Sequence, residues 1–205
     1  MSQLRIPLKP GETYHIWTHA NGDDNIFREE ENYDYFLTKY SHYIYPVADT
    51  YAYCLMPNHF HLMVRVRESD KIESLMMKKR PNLQGFRNLE GFISQQFSNL
   101  FNAYTKAYNK KYNRKGSLFI PRFNRKLIDS DQYFTQLIVY IHNNPIHHGF
   151  VARTEDWSHS SWFAYQQNKP TKIKREEALN WFGGSDNFND AHEDTNPGNF
   201  TIFEE

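Results

Sequence analysis

The nine residues from His59 to Arg67 leave little conformational choice. They read His-Phe-His-Leu-Met-Val-Arg-Val-Arg, a period-2 pattern that predicts a strand with one apolar face. Phe60, Leu62, Val64 and Val66 point to that face, and His59, His61, Met63, Arg65 and Arg67 to the other. Met56-Pro57-Asn58 is a tight-turn signal, and Thr50 to Met56 before it is rich in aromatic and apolar residues, so the two runs predict a hairpin. Neutral imidazoles bind divalent metals and guanidiniums bind phosphates, so the polar face suits chemistry on a polyanion.

Other elements follow around this hairpin. Tyr14 to His19 predicts a first strand after the turn at Pro10-Gly11. A helix is expected from about Glu29 to Tyr43, where Tyr33, Phe36, Leu37 and Tyr40 recur at helical spacing. A longer helix is expected from about Phe92 to Tyr112, with Ile93, Phe97, Phe101, Tyr104 and Tyr108 as its stripe. Ser117 to Leu127 looks extended, and Ser130 is a good N-cap for a helix from Asp131 to about Asn143, closed by Pro145. Residues 68–90 are polar and basic and read as a long excursion. The order predicts an α+β domain: a ferredoxin-like antiparallel sheet with helices packed on one face.

At 205 residues the chain can bury one sizeable core. Residues 1–182 read as that domain, and 183–205 as an acidic, flexible tail. The tail carries six acids and no Lys or Arg; setting these aside leaves 18 acids against 24 Lys and Arg, so the body is formally +6. A mildly basic body suits a protein that handles phosphates, although an ordinary solvated surface has the same balance. The single cysteine, Cys54, excludes an intrachain disulfide and points to a reducing compartment. No apolar run approaches the ~18–20 residues of a membrane span. The expectation is a cytoplasmic protein with no membrane partner.

Three groups of residues could carry chemistry. His59 and His61 have metal-ligand spacing, but amphipathic strands also produce solvated pairs of this kind. Gln136, Tyr140 and Asn144 fall at i, i+4 and i+8, so a tyrosine hydroxyl lies one turn before an amide. The alternatives there are a core tyrosine and a C-cap asparagine before Pro145. From Phe101 to Lys126 there are eight basic residues (Lys106, Lys110, Lys111, Arg114, Lys115, Arg122, Arg125, Lys126), no acid, and interleaved tyrosines. That is the composition of a nucleic-acid groove, and more charge than completing a helix dipole requires. His147 and His148 are adjacent, diverge on a helix or turn, and read as surface residues.

Leu55-Met56-Pro57-Asn58-His59-Phe60-His61-Leu62 resembles the histidine-hydrophobic-histidine signature of the IS200-like single-tyrosine (HUH) transposases. Gly116 to Phe123 is similar to that family's segment before its last helix, and Tyr140-Ile141-His142-Asn143-Asn144-Pro145 to its tyrosine helix. Asp156-Trp157-Ser158-His159-Ser160-Ser161-Trp162 resembles a trailing motif of the branch associated with repetitive extragenic palindromes (REP). The resemblance runs from about Tyr14 to Tyr165 with every motif in order.

It implies that His59, His61 and Asn144 hold a divalent metal ion, Mg²⁺ or Mn²⁺, and that Tyr140 is the nucleophile. It further implies single-stranded or hairpin DNA as partner, a 5′-phosphotyrosine intermediate, and a possible homodimer. Arg65 and Arg67 become candidate phosphate contacts beside the eight basic residues. The chain departs from the branch at Thr18-His19-Ala20-Asn21-Gly22, where relatives often carry Asn-Arg-Gly. A domesticated hairpin-DNA-binding protein without cleavage activity is the competing reading, and a phosphodiesterase using water a third.

Overall fold

The expected hairpin forms one half of the sheet, with β3 in its interior. In this computed structural model, which describes residues 6–79 and 88–193, strand β1 (Thr13–His19) is followed by helix α1 (Glu30–Tyr43), then β2 (Ala48–Met56) and β3 (His59–Val66). Helix α2 (Ser69–Lys79), helix α3 (Leu89–Lys111) and strand β4 (Asn124–Leu127) come next. The four strands are antiparallel in the order β2-β3-β1-β4, which with α1 and α3 as crossovers is the ferredoxin-like arrangement. The register sets His19 opposite His59 and Trp17 opposite His61.

The apolar face of β3 meets α1 and α3. Phe60, Leu62, Val64 and Ile16 are buried against Phe36, Tyr40, Phe97, Leu100 and Tyr104. The polar ends of the rings are satisfied: Tyr104 donates to the Ile26 carbonyl at 2.7 Å, and the Tyr40 hydroxyl lies 2.8 Å from Thr50 Oγ1. Each fully buried ring of this kind contributes about 2–3 kcal/mol through removal from water.

The fold class is as expected, but helices do not keep to one face. Helix α4 (Asp131–His147) lies on the opposite face, over β2 and β3, and builds a second core from Phe134, Leu137, Ile138 and Ile141 against Tyr51, Cys54, Met56 and Met63. Ser130 caps it as expected, accepting from Tyr133 N. Helix α4 does not stop before Pro145. Proline removes one donor so close to the end that the helix runs on to His147 and closes with His148 N donating to Asn144 O at 3.0 Å.

The motif Trp157 to Trp162 lines the outer edge of β2. Leu55 N donates to His159 O and Ser161 N to Tyr53 O, both at 2.9 Å, and Trp157 Nε1 donates to Leu55 O. The exposed edge of β2 is thereby paired. Short helices α5 (Trp162–Gln166), α6 (Arg175–Phe182) and α7 (Ser185–Glu193) follow.

Two further sequence expectations need correction. Within the 68–90 excursion, Ser69–Lys79 is helical because Ile72 and Met76 give it a buried stripe one turn apart; 80–87 lies outside the described residues. The expected flexible tail begins with α7, docked on α4 through Phe188 and His192, which are also one turn apart; 194–205 lies outside the described residues. His192 Nε2 lies 2.9 Å from His142 Nδ1, and His142 Nε2 lies 2.7 Å from Ser161 Oγ, so a buried polar chain links α7, α4 and the β2 edge. Among the described residues no helix is long and apolar enough to cross a membrane.

Candidate active site

Strand β3 and helix α4 bring the sequence candidates together. Alternation on β3 sends His59 and His61 to the α4 face, and helical spacing puts Tyr140 and Asn144 one turn apart on the side facing them. The Tyr140 ring meets the His61 ring edge-on, centroids 5.5 Å apart at 88°. Asn144 Oδ1 lies 3.4 Å from His59 Nε2. All four side chains are buried, Tyr140 with 5% of its surface exposed and the others 2% or less. The histidines are not solvated and Asn144 lies inside the helix rather than capping it, while Tyr140 is also a member of the second core. The tyrosine and the histidines meet within one chain.

Burial dominates the electrostatics. It holds the His59 imidazole at a pKa of about 3, helped by His148 and His19, and it lowers His61 well below the ordinary value, helped by His15. Both rings are therefore neutral near pH 7, as ligands must be. With His59 Nδ1 donating to Asn58 Oδ1 at 2.7 Å, the His59 lone pair sits on Nε2 and faces the Asn144 oxygen. Two acceptors thus face each other across 3.4 Å, while Asn144 Nδ2 is buried without a hydrogen-bond partner among the described residues. A divalent cation would resolve that opposition, since donors about 2.1 Å from one ion stand about 3 Å apart. Among the described residues no three His, Cys, Asp or Glu side chains form a ligand set, so a site here needs the Asn144 amide oxygen as its third donor.

Sequence reasoning missed three imidazoles. His15 and His19 alternate on β1 with the same phase as His59 and His61 on β3, and the register puts them alongside. His15 Nε2 is 2.9 Å from His61 Nδ1, and the His19 ring stacks on His59 with centroids 4.7 Å apart at 13°. Thus the segment that departs from the usual Asn-Arg-Gly contributes an imidazole to the site. His148, read as a surface residue, is exposed, yet its ring lies 4.7 Å from His59, while the His147 ring lies 5.9 Å from Tyr140. The alternation Tyr14-His15-Ile16-Trp17-Thr18-His19 held the signal for the two β1 residues.

The cationic candidates divide. Arg65 and Arg67 are not brought to the histidines: Arg65 begins about 13 Å along the strand from His61, pairs with Glu177 at 2.7 Å, and Arg67 pairs with Asp49 at 2.8 Å. Their guanidiniums tie α6 and β2 to β3. Lys111 bridges Glu29 and Glu31, and Arg114 binds Asp24 and the Ser117 carbonyl, so both hold the α3 end to the loop before α1 and to α1 itself. Arg125 is half-buried and donates to Ser94. Lys106, Lys110, Lys115, Arg122 and Lys126 are exposed. Two of these border the site: Lys126 pairs with His15 in the β4–β1 register, and Arg122 follows Ile120, whose N–H donates to the His19 carbonyl at 3.0 Å.

No protein-family model matches the chain. Over 114 residues it is 28% identical to a Haemophilus influenzae protein carrying the provisional name REP-associated tyrosine transposase, a match covering 56% of this chain and 58% of that protein. Its fold is similar to that of a REP-associated tyrosine transposase solved bound to a REP hairpin, with a TM-score of 0.59 and 19% identity, over 83% of this chain and 89% of that one. In part of its sequence and in its fold, the chain is similar to proteins of that name. The match to the Haemophilus REP-associated transposase spans little more than half of that relative's length, and the solved REP-associated transposase shares the α+β fold described above.

Proposed function

We propose that this chain is a metal-dependent DNA strand transferase that cleaves single-stranded or hairpin DNA through a 5′-phosphotyrosine and rejoins it. One observation carries the reading: the Tyr140 ring stands edge-on to His61, beside the facing lone pairs of His59 Nε2 and Asn144 Oδ1. Hairpin DNA as substrate is supported by the relative solved with a REP hairpin.

His59, His61 and Asn144 would hold the divalent ion, Mg²⁺ or Mn²⁺, which when bound supplies Lewis-acid polarisation of the scissile phosphate. Tyr140 Oη forms a bond to phosphorus as the bond to the 3′ oxygen breaks. The phenol proton leaves to water, and the departing 3′ oxygen takes up a proton. A free phenol has a pKa near ~10, so proton removal accompanies attack. The phosphodiester energy stays in the covalent link, and attack by another 3′ hydroxyl on it releases Tyr140 and rejoins the strand. Lys126 and Arg122, bordering the β1 end of the site, hold the backbone phosphates.

The test is incubation with 3′-labelled hairpin DNA and Mn²⁺, followed by a denaturing gel. A labelled covalent adduct is expected. Cleavage without an adduct would favour a phosphodiesterase using water, and retardation without cleavage a domesticated binding protein.

The exposed cations make a separate prediction. Replacing Lys110, Lys115, Arg122 and Lys126 by Gln should reduce the slope of log affinity against log salt by roughly 3 for single-stranded DNA, about 0.7 for each phosphate no longer neutralised. Lys111→Gln and Arg114→Gln should instead lower the thermal midpoint, because those charges already have carboxylate partners. An unchanged slope in the fourfold variant places the phosphate track elsewhere.

A further inference from the structure

As a metal ligand, His61 could offer either ring nitrogen, and His15 on the neighbouring strand bears on that choice. His15 is buried with 1% of its surface exposed, and its Nε2 lies 2.9 Å from His61 Nδ1. The two rings are nearly coplanar, centroids 5.2 Å apart at 20°, as a hydrogen bond running from ring edge to ring edge requires. Trp17 stacks on His15 at 4.5 Å and 27°, so the imidazole is fixed by ring contacts with two residues. The Tyr140 ring also meets His15 edge-on, centroids 6.2 Å apart at 82°.

His59 shows the same construction. Its Nδ1 is held by a neutral oxygen, Asn58 Oδ1, at 2.7 Å, and its Nε2 faces Asn144. Each histidine of the pair thus has a neutral polar atom within hydrogen-bond reach of Nδ1, where metal-ligating histidines usually have a carboxylate, carbonyl or water.

We propose that His15 is a positioning residue that accepts the His61 Nδ1 proton, so that the His61 lone pair is fixed on Nε2 and available to a divalent cation. This rests on the reading of His59, His61 and Asn144 as a metal site. Once His61 donates from Nδ1, it cannot carry a second proton on Nε2 while neutral, so the ligand nitrogen is selected before any ion arrives. His15 then carries its own proton on Nδ1.

Three proteins test this: the unaltered chain, His15→Phe, which keeps a ring against Trp17 but has no acceptor, and His15→Gln, which restores an acceptor oxygen. Long-range ¹H–¹⁵N correlation spectra of the metal-free proteins report the ring protonation, and calorimetric titration with Mn²⁺ reports affinity. The unaltered chain is expected to show His61 with its proton on Nδ1 alone. His15→Phe is expected to lose that single form and to bind Mn²⁺ about 10–100-fold more weakly, and His15→Gln to recover both.

A proton on His61 Nε2 in the unaltered chain overturns the proposal, as does His15→Phe behaving like the parent. Loss of the Nδ1 form in His15→Gln as well would assign the effect to ring packing and overturn it too. If the unaltered chain binds no Mn²⁺, the metal reading falls, while the spectra still decide whether His15 sets the His61 proton.

Discussion

Tyr140→Phe is expected to abolish covalent capture of hairpin DNA while leaving the protein folded and DNA-binding. The ring would keep its place: it packs in the second core, edge-on to His61 at 5.5 Å and 6.2 Å from His15, and those contacts do not involve the oxygen. Stability should therefore change by no more than about 1 kcal/mol, the net worth of a typical hydrogen bond. Chemistry should fall by at least about 10⁴-fold, as when an enzyme loses its only nucleophile. The comparison to make is adduct yield with 3′-labelled hairpin, alongside the thermal midpoint and gel retardation. An adduct that persists in Tyr140→Phe assigns the nucleophile to another side chain. Joint loss of adduct and of the folding transition would mean that the oxygen is structural.

Acidification of the metal-free protein should unfold it between pH 6.5 and 5. Burial holds His15 and His59 at about 3 and His192 at about 4, and lowers His61 and His142 well below their ordinary value. An unfolded histidine titrates near 6.5, so below that pH the unfolded chain binds protons that the folded one refuses. The contribution of these groups is complete above about 6.5 and declines as pH falls towards the folded values. At pH 5 His15, His59 and His192 have each withdrawn about 2 kcal/mol, with His61 and His142 acting in the same direction, a loss on the scale of the whole stability of an ordinary domain. Thermal midpoints measured in chelator from pH 8 to 5 should drop steeply through this window. A midpoint that holds steady to pH 5 would mean that these imidazoles are charged and paired in the folded state.

Much of this molecule could be read from local pattern. The β3 alternation, the α1 and α3 stripes and the i, i+4 relation of Tyr140 and Asn144 are properties of short stretches, and each placed its residues on the correct face. Other features depend on which distant elements meet. His15 and His19 joined the site only through the β1–β3 register, 46 residues separating His15 from the His61 it touches. Arg65 looked available because its partner, Glu177, is 112 residues further along the chain. Helices α2 and α7 are short and mostly polar, and their buried pairs, Ile72 with Met76 and Phe188 with His192, gain weight only once a neighbouring helix is there to receive them. Pro145 reads as a stop in any local rule, and only the packing of α4 explains why the helix carries Asn144 inward before it ends.

The presence of Tyr140 and the histidine pair in one chain has a genetic consequence. On the proposed reading, two copies, one carrying Tyr140→Phe and the other His59→Ala, are expected not to repair each other, because each tyrosine meets the histidines of its own chain. Co-expressed, they should stay as inactive as either alone, and a cell holding both alleles should behave as a simple null. A protein that shared its helices between subunits would instead recover part of its activity from the mixed pair.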